Sequence, residues 1–165
     1  MTEAVTKYNP WFAYVVAREE ARRTGSRRVG TEHLFLALLR ESDIAEMVAV
    51  TIEQARDALD SLDRSALDVL GIHSTRNAGP IPMRAVPPRL TVNVVLRDRL
   101  PMTPAAKAVL ERAWEPRRRG KQFRTVDVLR ELIELKPPDP IGELLTALAI
   151  DRRVICSRIE HCDSR

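Results

Sequence analysis

The sequence predicts an all-α fold made of two similar four-helix repeats packed against each other. Apolar residues recur at the three- and four-residue spacing of amphipathic helices in two stretches, 8–71 and 103–161. Six of the eleven prolines lie within 80–104, five of them between these stretches, where they disfavour continued helix, and the sixth at the start of the second stretch. Thr31 and Thr125, each at an expected helix start, are 94 positions apart. This spacing of matching features indicates an internal duplication.

The expected organisation is a single domain over 1–165. The first repeat covers 8–71, a proline-rich connector covers 72–102, and the second repeat covers 103–161. Each repeat alone is too small to bury a large core, so the two are expected to pack as a pseudo-two-fold pair. Within the connector, 90–96 is rich in β-branched residues and is predicted to form a short strand.

Seven of the eight expected helices begin at a residue whose side chain or ring geometry suits a helix start, and the short helix at Ile44 is expected from its apolar residues alone. Ser, Thr, Asp and Asn accept hydrogen bonds from the free amides of the first turn, and proline fits the first helical position. Four helices are expected in each repeat. Their starts are Asn9-Pro10, Thr31, Ile44 and Thr51 in the first repeat, and Thr103-Pro104, Thr125, Asp139-Pro140 and Asp151 in the second.

Composition places the chain among ordinary globular proteins. Of 165 residues, 44% are apolar and 30% charged, which excludes wholesale disorder. No apolar run approaches the roughly 18–20 residues that span a bilayer, and no secretory signal is visible in the first residues. Two cysteines do not make a disulfide framework. We therefore expect a cytoplasmic protein with no membrane partner.

Two charge patterns stand out. Glu19 and Glu20 precede Arg22 and Arg23 at the three- and four-residue spacing of surface ion pairs, which contribute only tenths of a kcal/mol. The one concentrated basic run fits a solvated helix end or a surface for an acidic partner; it consists of Arg117, Arg118, Arg119 and Lys121. A nucleic-acid partner is not supported, because aromatic residues for base stacking are scarce.

The sequence shows no catalytic or cofactor motif. No Gly-x-x-x-x-Gly-Lys-Ser/Thr phosphate loop and no Gly-x-Ser-x-Gly nucleophile motif occurs. Cys156, His161 and Cys162 cluster near the end of the chain, but a tetrahedral zinc site usually needs four ligands at knuckle spacing. We expect no metal, no cofactor and no enzymatic activity.

Three segments resemble the N-terminal domain of Clp-family AAA+ unfoldases, ClpC and ClpA in particular. Glu19-Glu20-Ala-Arg-Arg-Thr-Gly25 and Val29-Gly-Thr-Glu-His-Leu-Phe-Leu-Ala-Leu-Leu39 resemble the first repeat of that domain. Pro101-Met-Thr-Pro-Ala-Ala-Lys-Ala-Val-Leu-Glu111 resembles the opening of its second repeat. The resemblance implies a Clp N-domain in a stand-alone form, without the ATPase.

The resemblance also implies a binding site around Thr31, Glu32 and His33. In ClpC-like domains the glutamate of this motif helps hold the guanidinium of phosphorylated arginine, a role that falls here to Glu32. At the corresponding place in the second repeat the chain has Val126, which cannot accept a hydrogen bond, so that second pocket is expected to be lost.

Three functions follow as hypotheses. The first is a non-enzymatic module that recognises peptides, adaptors or modified client proteins for a separate Clp ATPase. The second is a decoy for cyclic peptide antibiotics directed at ClpC, which the resemblance places at Met102, Lys107 and Glu111. The third is a basic regulator associated with nucleic acid, acting through the arginine run.

Overall fold

The computed structural model describes residues 10–71, 100–118 and 124–163, with side chains for 13–71, 100–114 and 124–161. These ranges contain eight helices and no strand, which confirms the all-α prediction. The strand expected at 90–96 lies outside the described residues. The helices are α1 (Pro10–Arg23), α2 (Thr31–Leu38), α3 (Ser42–Val48), α4 (Ile52–Val69), α5 (Pro104–Arg118), α6 (Thr125–Ile133), α7 (Pro140–Ala147) and α8 (Arg152–Asp163).

Several helices start through the side chains that the sequence indicates. Thr51 Oγ1 accepts the Gln54 amide hydrogen at 3.2 Å, and Asp139 Oδ1 accepts that of Ile141 at 3.2 Å. Thr103 and Asp151 act in the same way on Ala106 and Arg153. Each of these bonds satisfies an amide in the first turn that has no partner inside its helix.

The prediction that Thr31 and Thr125 cap their helices is wrong. Both are the first helical residue, and the capping positions before them are occupied by Gly30 and Arg124. Neither capping residue accepts a first-turn amide with its side chain. The two threonine hydroxyls instead form contacts between the repeats, as described with the site below.

The backbone repeats the same turn in both halves. Ala49 follows α3 with a φ of 58°, and Ala149 lies after α7 with a φ of 52°. A left-handed backbone is uncommon in any residue other than glycine. Its recurrence at two positions 100 residues apart supports the duplication inferred from the sequence.

Helix α2 lies at the centre of the described core. It contacts α1 and α4 of its own repeat and α5, α6 and α7 of the other. Every residue of α2 except Glu32 is buried. Its closest counterpart, α6, contributes the fully buried Val128, Leu129 and Leu132. The two repeats therefore share one apolar core.

A short backbone pairing joins the start of the second repeat to the first. Val29 donates its amide hydrogen to Pro101 O at 2.9 Å, and Thr103 donates to Val29 O at 2.9 Å. Val29 and Met102 form an isolated parallel β-bridge. Tyr14 Oη donates to Leu100 O at 2.7 Å, so α1 also holds this segment. The pairing fixes 100–103 beside the loop that leads into α2.

Glu20 is a buried carboxylate, with 1% of its surface exposed, held by three arginines. Arg56 of α4 donates from Nη2 to Oε1 at 2.6 Å and from Nε to Oε2 at 3.1 Å. Arg40, just after α2, donates to Oε1 at 3.1 Å, and Arg23 donates to Oε2 at 3.3 Å. The prediction of weak surface pairing is therefore wrong for Glu20. Its bonds tie α1 to α4 and to the end of α2.

The arginines keep Glu20 ionised despite its burial. Burial by itself would raise the pKa of the Glu20 carboxyl, because it removes water from the charged form. The hydrogen bonds and positive charges of Arg56, and then of Arg40, outweigh burial and lower the pKa below its usual 4.5. A lowered pKa means that ionised Glu20 stabilises the fold.

Gly142 allows α7 to pack against the backbone of the loop before it. A Cβ at this position would overlap the backbone of Lys136 and Pro137. Gly142 is buried and lies in the first turn of α7. Absence of a side chain is therefore a packing requirement here.

Among the described residues, no helix is both long enough and apolar enough to cross a membrane.

We expect Glu20→Gln to lower the free energy of unfolding at pH 7 by about 3 kcal/mol or more, because it leaves Arg56 and Arg40 facing a neutral amide. Since the folded-state pKa of Glu20 is depressed, its contribution is complete above pH 4.5 and is lost as pH falls through the folded-state value. Urea unfolding of both proteins from pH 7 to pH 3 measures this.

The matched control for Glu20 is Glu19→Gln, since Glu19 precedes Glu20 on α1 and is partly exposed rather than buried. That change should alter stability by less than about 0.5 kcal/mol. A gap between wild type and Glu20→Gln that stays constant from pH 7 to pH 3 would contradict the role assigned to the ionised carboxylate.

We expect Gly142→Ala to destabilise the protein by about 1–3 kcal/mol through the clash with the Lys136–Pro137 backbone. Alanine in an open helix position would instead stabilise it by roughly 1 kcal/mol relative to glycine, so the sign of the change is diagnostic. Thermal unfolding measures it, with Glu143→Ala on the exposed side of α7 as control. A Gly142→Ala protein as stable as wild type argues against tight packing at this loop.

Candidate functional site

The candidate site is the loop between α1 and α2 together with the first turn of α2. Gly30 occupies the capping position with an extended backbone, φ −97° and ψ 179°. Its amide hydrogen is donated to Nδ1 of His33 at 3.0 Å. Nε2 of His33 lies 3.2 Å from Thr24 Oγ1, which itself donates to Ala21 O. The buried imidazole ring therefore joins the end of α1 to the start of α2.

The Nδ1 atom of His33 has two neighbours that compete for it. Besides the Gly30 amide, Glu32 Oε1 lies 2.8 Å away. An unprotonated Nδ1 accepts the amide hydrogen and offers Glu32 nothing, whereas a protonated Nδ1 donates to Glu32 and cannot accept from Gly30. His33 therefore holds the Glu32 carboxylate only when Nδ1 of His33 carries a proton.

Glu32 is the one side chain of α2 that reaches the surface, and 16% of that side chain is exposed. Its carboxylate folds back over Gly30, where a Cβ would overlap both carboxylate oxygens. Burial alone would raise the pKa of Glu32, but a protonated Nδ1 of His33, the backbone amide of Glu32 and the Thr31 hydroxyl lower it. The site therefore presents an ionised carboxylate at neutral pH.

Thr31 and Thr125 make reciprocal bonds between the repeats. Thr31 Oγ1 donates to Asp139 Oδ1 at 2.6 Å, and Asp139 is the capping residue of α7. Thr125 Oγ1 donates to Glu41 Oε1 at 3.0 Å, and Glu41 occupies the capping position of α3. In each repeat, the first residue of the second helix thus bonds to the residue that precedes the third helix of the other repeat. Thr31, 1% exposed, holds the backbone at the site.

The second repeat has no equivalent of Glu32. Val126 occupies that position and is buried. The neighbouring carboxylate of Asp127 accepts the Arg124 amide hydrogen at 3.0 Å, in the place that His33 takes in the first repeat. The guanidinium groups of Arg124 and Arg130 also lie within 4 Å of it. The Asp127 carboxylate is therefore bonded within the second repeat.

Met102 lies in the backbone pairing with Val29, and Lys107 and Glu111 follow it on α5. Met102 is partly buried and bridged to Val29, one residue before Gly30. Lys107 Nζ and Glu111 Oε1 are 3.7 Å apart on α5, with 65% of each side chain exposed. A cyclic-peptide ligand at these three residues stays a prediction.

Two further sequence predictions are only partly covered by the structure. The side chains of Arg117 and Arg118, and residues 119–121 with Arg119 and Lys121, lie outside the described residues. In the described part of the chain, no group of three or more His, Cys, Asp and Glu side chains is arranged to hold a metal ion. Cys162 lies beyond the described side chains.

We expect Thr31→Val to lower the free energy of unfolding by about 1–2 kcal/mol, because the partly buried contact with Asp139 loses its hydroxyl donor at nearly constant shape. Urea unfolding at pH 7 measures the loss. Thr146→Val is the matched control, since exposed Thr146 bonds only to Gly142 O within its own helix. Equal stability of the two variants would show that the bond between the repeats contributes nothing.

Comparison with known proteins gives one family and one fold. The model of the Clp repeat (R) N-terminal domain matches residues 11–130. No curated protein matches the chain. The crystal structure of the N-terminal domain of the caseinolytic protease associated chaperone ClpD from Arabidopsis thaliana matches with a TM-score of 0.62 and 16% identity, over 99% of each chain. Because the family model spans well over half of the sequence, the chain belongs to the Clp repeat N-terminal domain family.

Proposed function

We propose that this protein is a non-enzymatic recognition module that binds peptides, adaptors or arginine-modified client proteins for a separate Clp ATPase. The observation that carries the proposal is the ionised carboxylate of Glu32, the only α2 side chain at the surface. The Clp N-domain fold fits a module associated with Clp ATPases.

The chemistry of the site favours a guanidinium ligand. A carboxylate and a guanidinium can form two parallel hydrogen bonds, which are stronger than bonds between neutral groups. Glu32 is partly shielded from water, so a pair formed there is screened less than one on an open surface. A phosphorylated arginine supplies such a guanidinium together with a phosphate, as the family resemblance implies for this residue.

Recognition at a single site distinguishes the two repeats. In the second repeat Val126 offers no acceptor, and Asp127 is bonded to Arg124. A ligand bound at Glu32 would lie close to Met102, because Met102 is paired with Val29, three residues before Glu32. We propose that Met102, Lys107 and Glu111 contact the peptide that flanks the bound arginine.

We expect Glu32→Gln to weaken binding of a phosphoarginine peptide by about 10- to 100-fold, because one charge-assisted pair contributes roughly 1.5–3 kcal/mol. Fluorescence anisotropy with a labelled peptide at pH 7.5 measures the affinity. Glu53→Gln is the matched control, since Glu53 is the second residue of α4 as Glu32 is of α2, and it is exposed.

The affinity of the control should match that of wild type. Two results would overturn the proposal: wild-type protein that fails to bind the peptide at low ionic strength, or equal affinity of wild type and Glu32→Gln. Thermal unfolding of each variant establishes that the fold is retained.

A further inference from the structure

A cleft of about 500 Å³ lies between the end of α6 and helix α8, away from the residues of the proposed arginine site. Its volume is within the roughly 300–1,000 Å³ of ligand pockets. Its apolar side is formed by Ile133, and Cys156 of α8 also lines it. The remaining lining is polar and mostly charged.

The first repeat has arginines at the positions equivalent to Glu134 and Cys156. Arg40 lies nine residues after Thr31, and Glu134 lies nine residues after Thr125, so these two positions are equivalent. Arg56 and Cys156 are equivalent too, because each lies five residues after the residue that caps its helix. Arg40 and Arg56 turn inward and bind Glu20. In the second repeat a carboxylate and a short thiol thus replace two long guanidinium side chains, and both of these residues, Glu134 and Cys156, line the cleft.

The two repeats also differ in charge at the start of their fourth helices, α4 and α8. The first two residues of α4 are Ile52 and Glu53, whereas those of α8 are Arg152 and Arg153. Lys136 lies beside them in the cleft. Among the described residues, no carboxylate forms a salt bridge with any of these three cations. They are therefore available to an anionic ligand.

We propose that this cleft binds an acidic peptide segment of a partner protein. Carboxylate side chains of the segment would pair with Arg152, Arg153 and Lys136, and its apolar atoms would pack on Ile133. Glu134 and Glu160 line the same cleft and would repel the closely spaced phosphates of a nucleic acid, so a peptide whose carboxylates are separated by uncharged residues fits better. This assignment is independent of the role proposed for Glu32.

Cys156 gives a direct readout, because it lines the cleft and is a free, partly exposed thiol. The experiment uses the full chain with Cys162→Ser, so that one thiol remains. The rate of maleimide labelling is measured at 50 mM salt with a ten-residue Glu-Ala peptide, the Gln-Ala equivalent, or a ten-nucleotide oligothymidine. We expect the Glu-Ala peptide to slow labelling at least fivefold at saturation and the Gln-Ala peptide to leave it unchanged.

Arg152→Glu/Arg153→Glu should abolish the protection, whereas Arg64→Glu on exposed α4 should retain it. Equal labelling rates with the acidic and neutral peptides would overturn the proposal, as would protection that survives the double charge reversal. Stronger protection by oligothymidine than by the acidic peptide would overturn the choice of a peptide ligand. Thermal unfolding of each variant confirms that labelling reports on a folded protein.

Discussion

The first repeat depends on one buried negative charge. Glu20 would be costly alone in the core, and it is retained because Arg56 holds it with two bonds and Arg40 adds a third. These arginines come from α4 and from the residue after the last turn of α2, so the ion cluster fixes three chain segments at once. Removing the carboxylate alone would leave the arginines without their partner, which is costly even though a buried ion pair as a whole is weak evidence of added stability.

The position of Glu32 follows from this framework and from the contacts between the repeats. Thr31 reaches Asp139, and Val29 pairs with Pro101 and Thr103, so both sides of the α1–α2 loop are tied to the second repeat. The rest of α2 is then enclosed by helices of both halves. Only the side chain next to the loop remains accessible. The fold therefore selects one residue of an otherwise buried helix for the surface.

Sequence patterns predicted the features that depend on neighbouring residues. Helix type and the caps at Thr51 and Asp139 depend on contacts within a few residues, and the duplication shows because such local patterns recur along the chain. The errors concern distant partners: the hydroxyl of Thr31 bonds to a residue 108 positions away, and Glu20 pairs with Arg56 rather than only with its neighbours. Nothing in a local pattern distinguishes a threonine that caps from one that bridges two repeats.

Duplication explains how one backbone plan can present two different surfaces. The shared core and the reciprocal threonine bonds fix the helices, so side chains outside them are free to change without loss of the fold. At the start of the second helix the change is from Glu32 to Val126, which removes a surface carboxylate. At the end of that helix and in α8, Glu134 and Cys156 replace Arg40 and Arg56, which removes an ion cluster and leaves a charged cleft. The two repeats thus share the apolar core and the reciprocal threonine bonds, and they differ in the ion cluster and in the side chains that they expose.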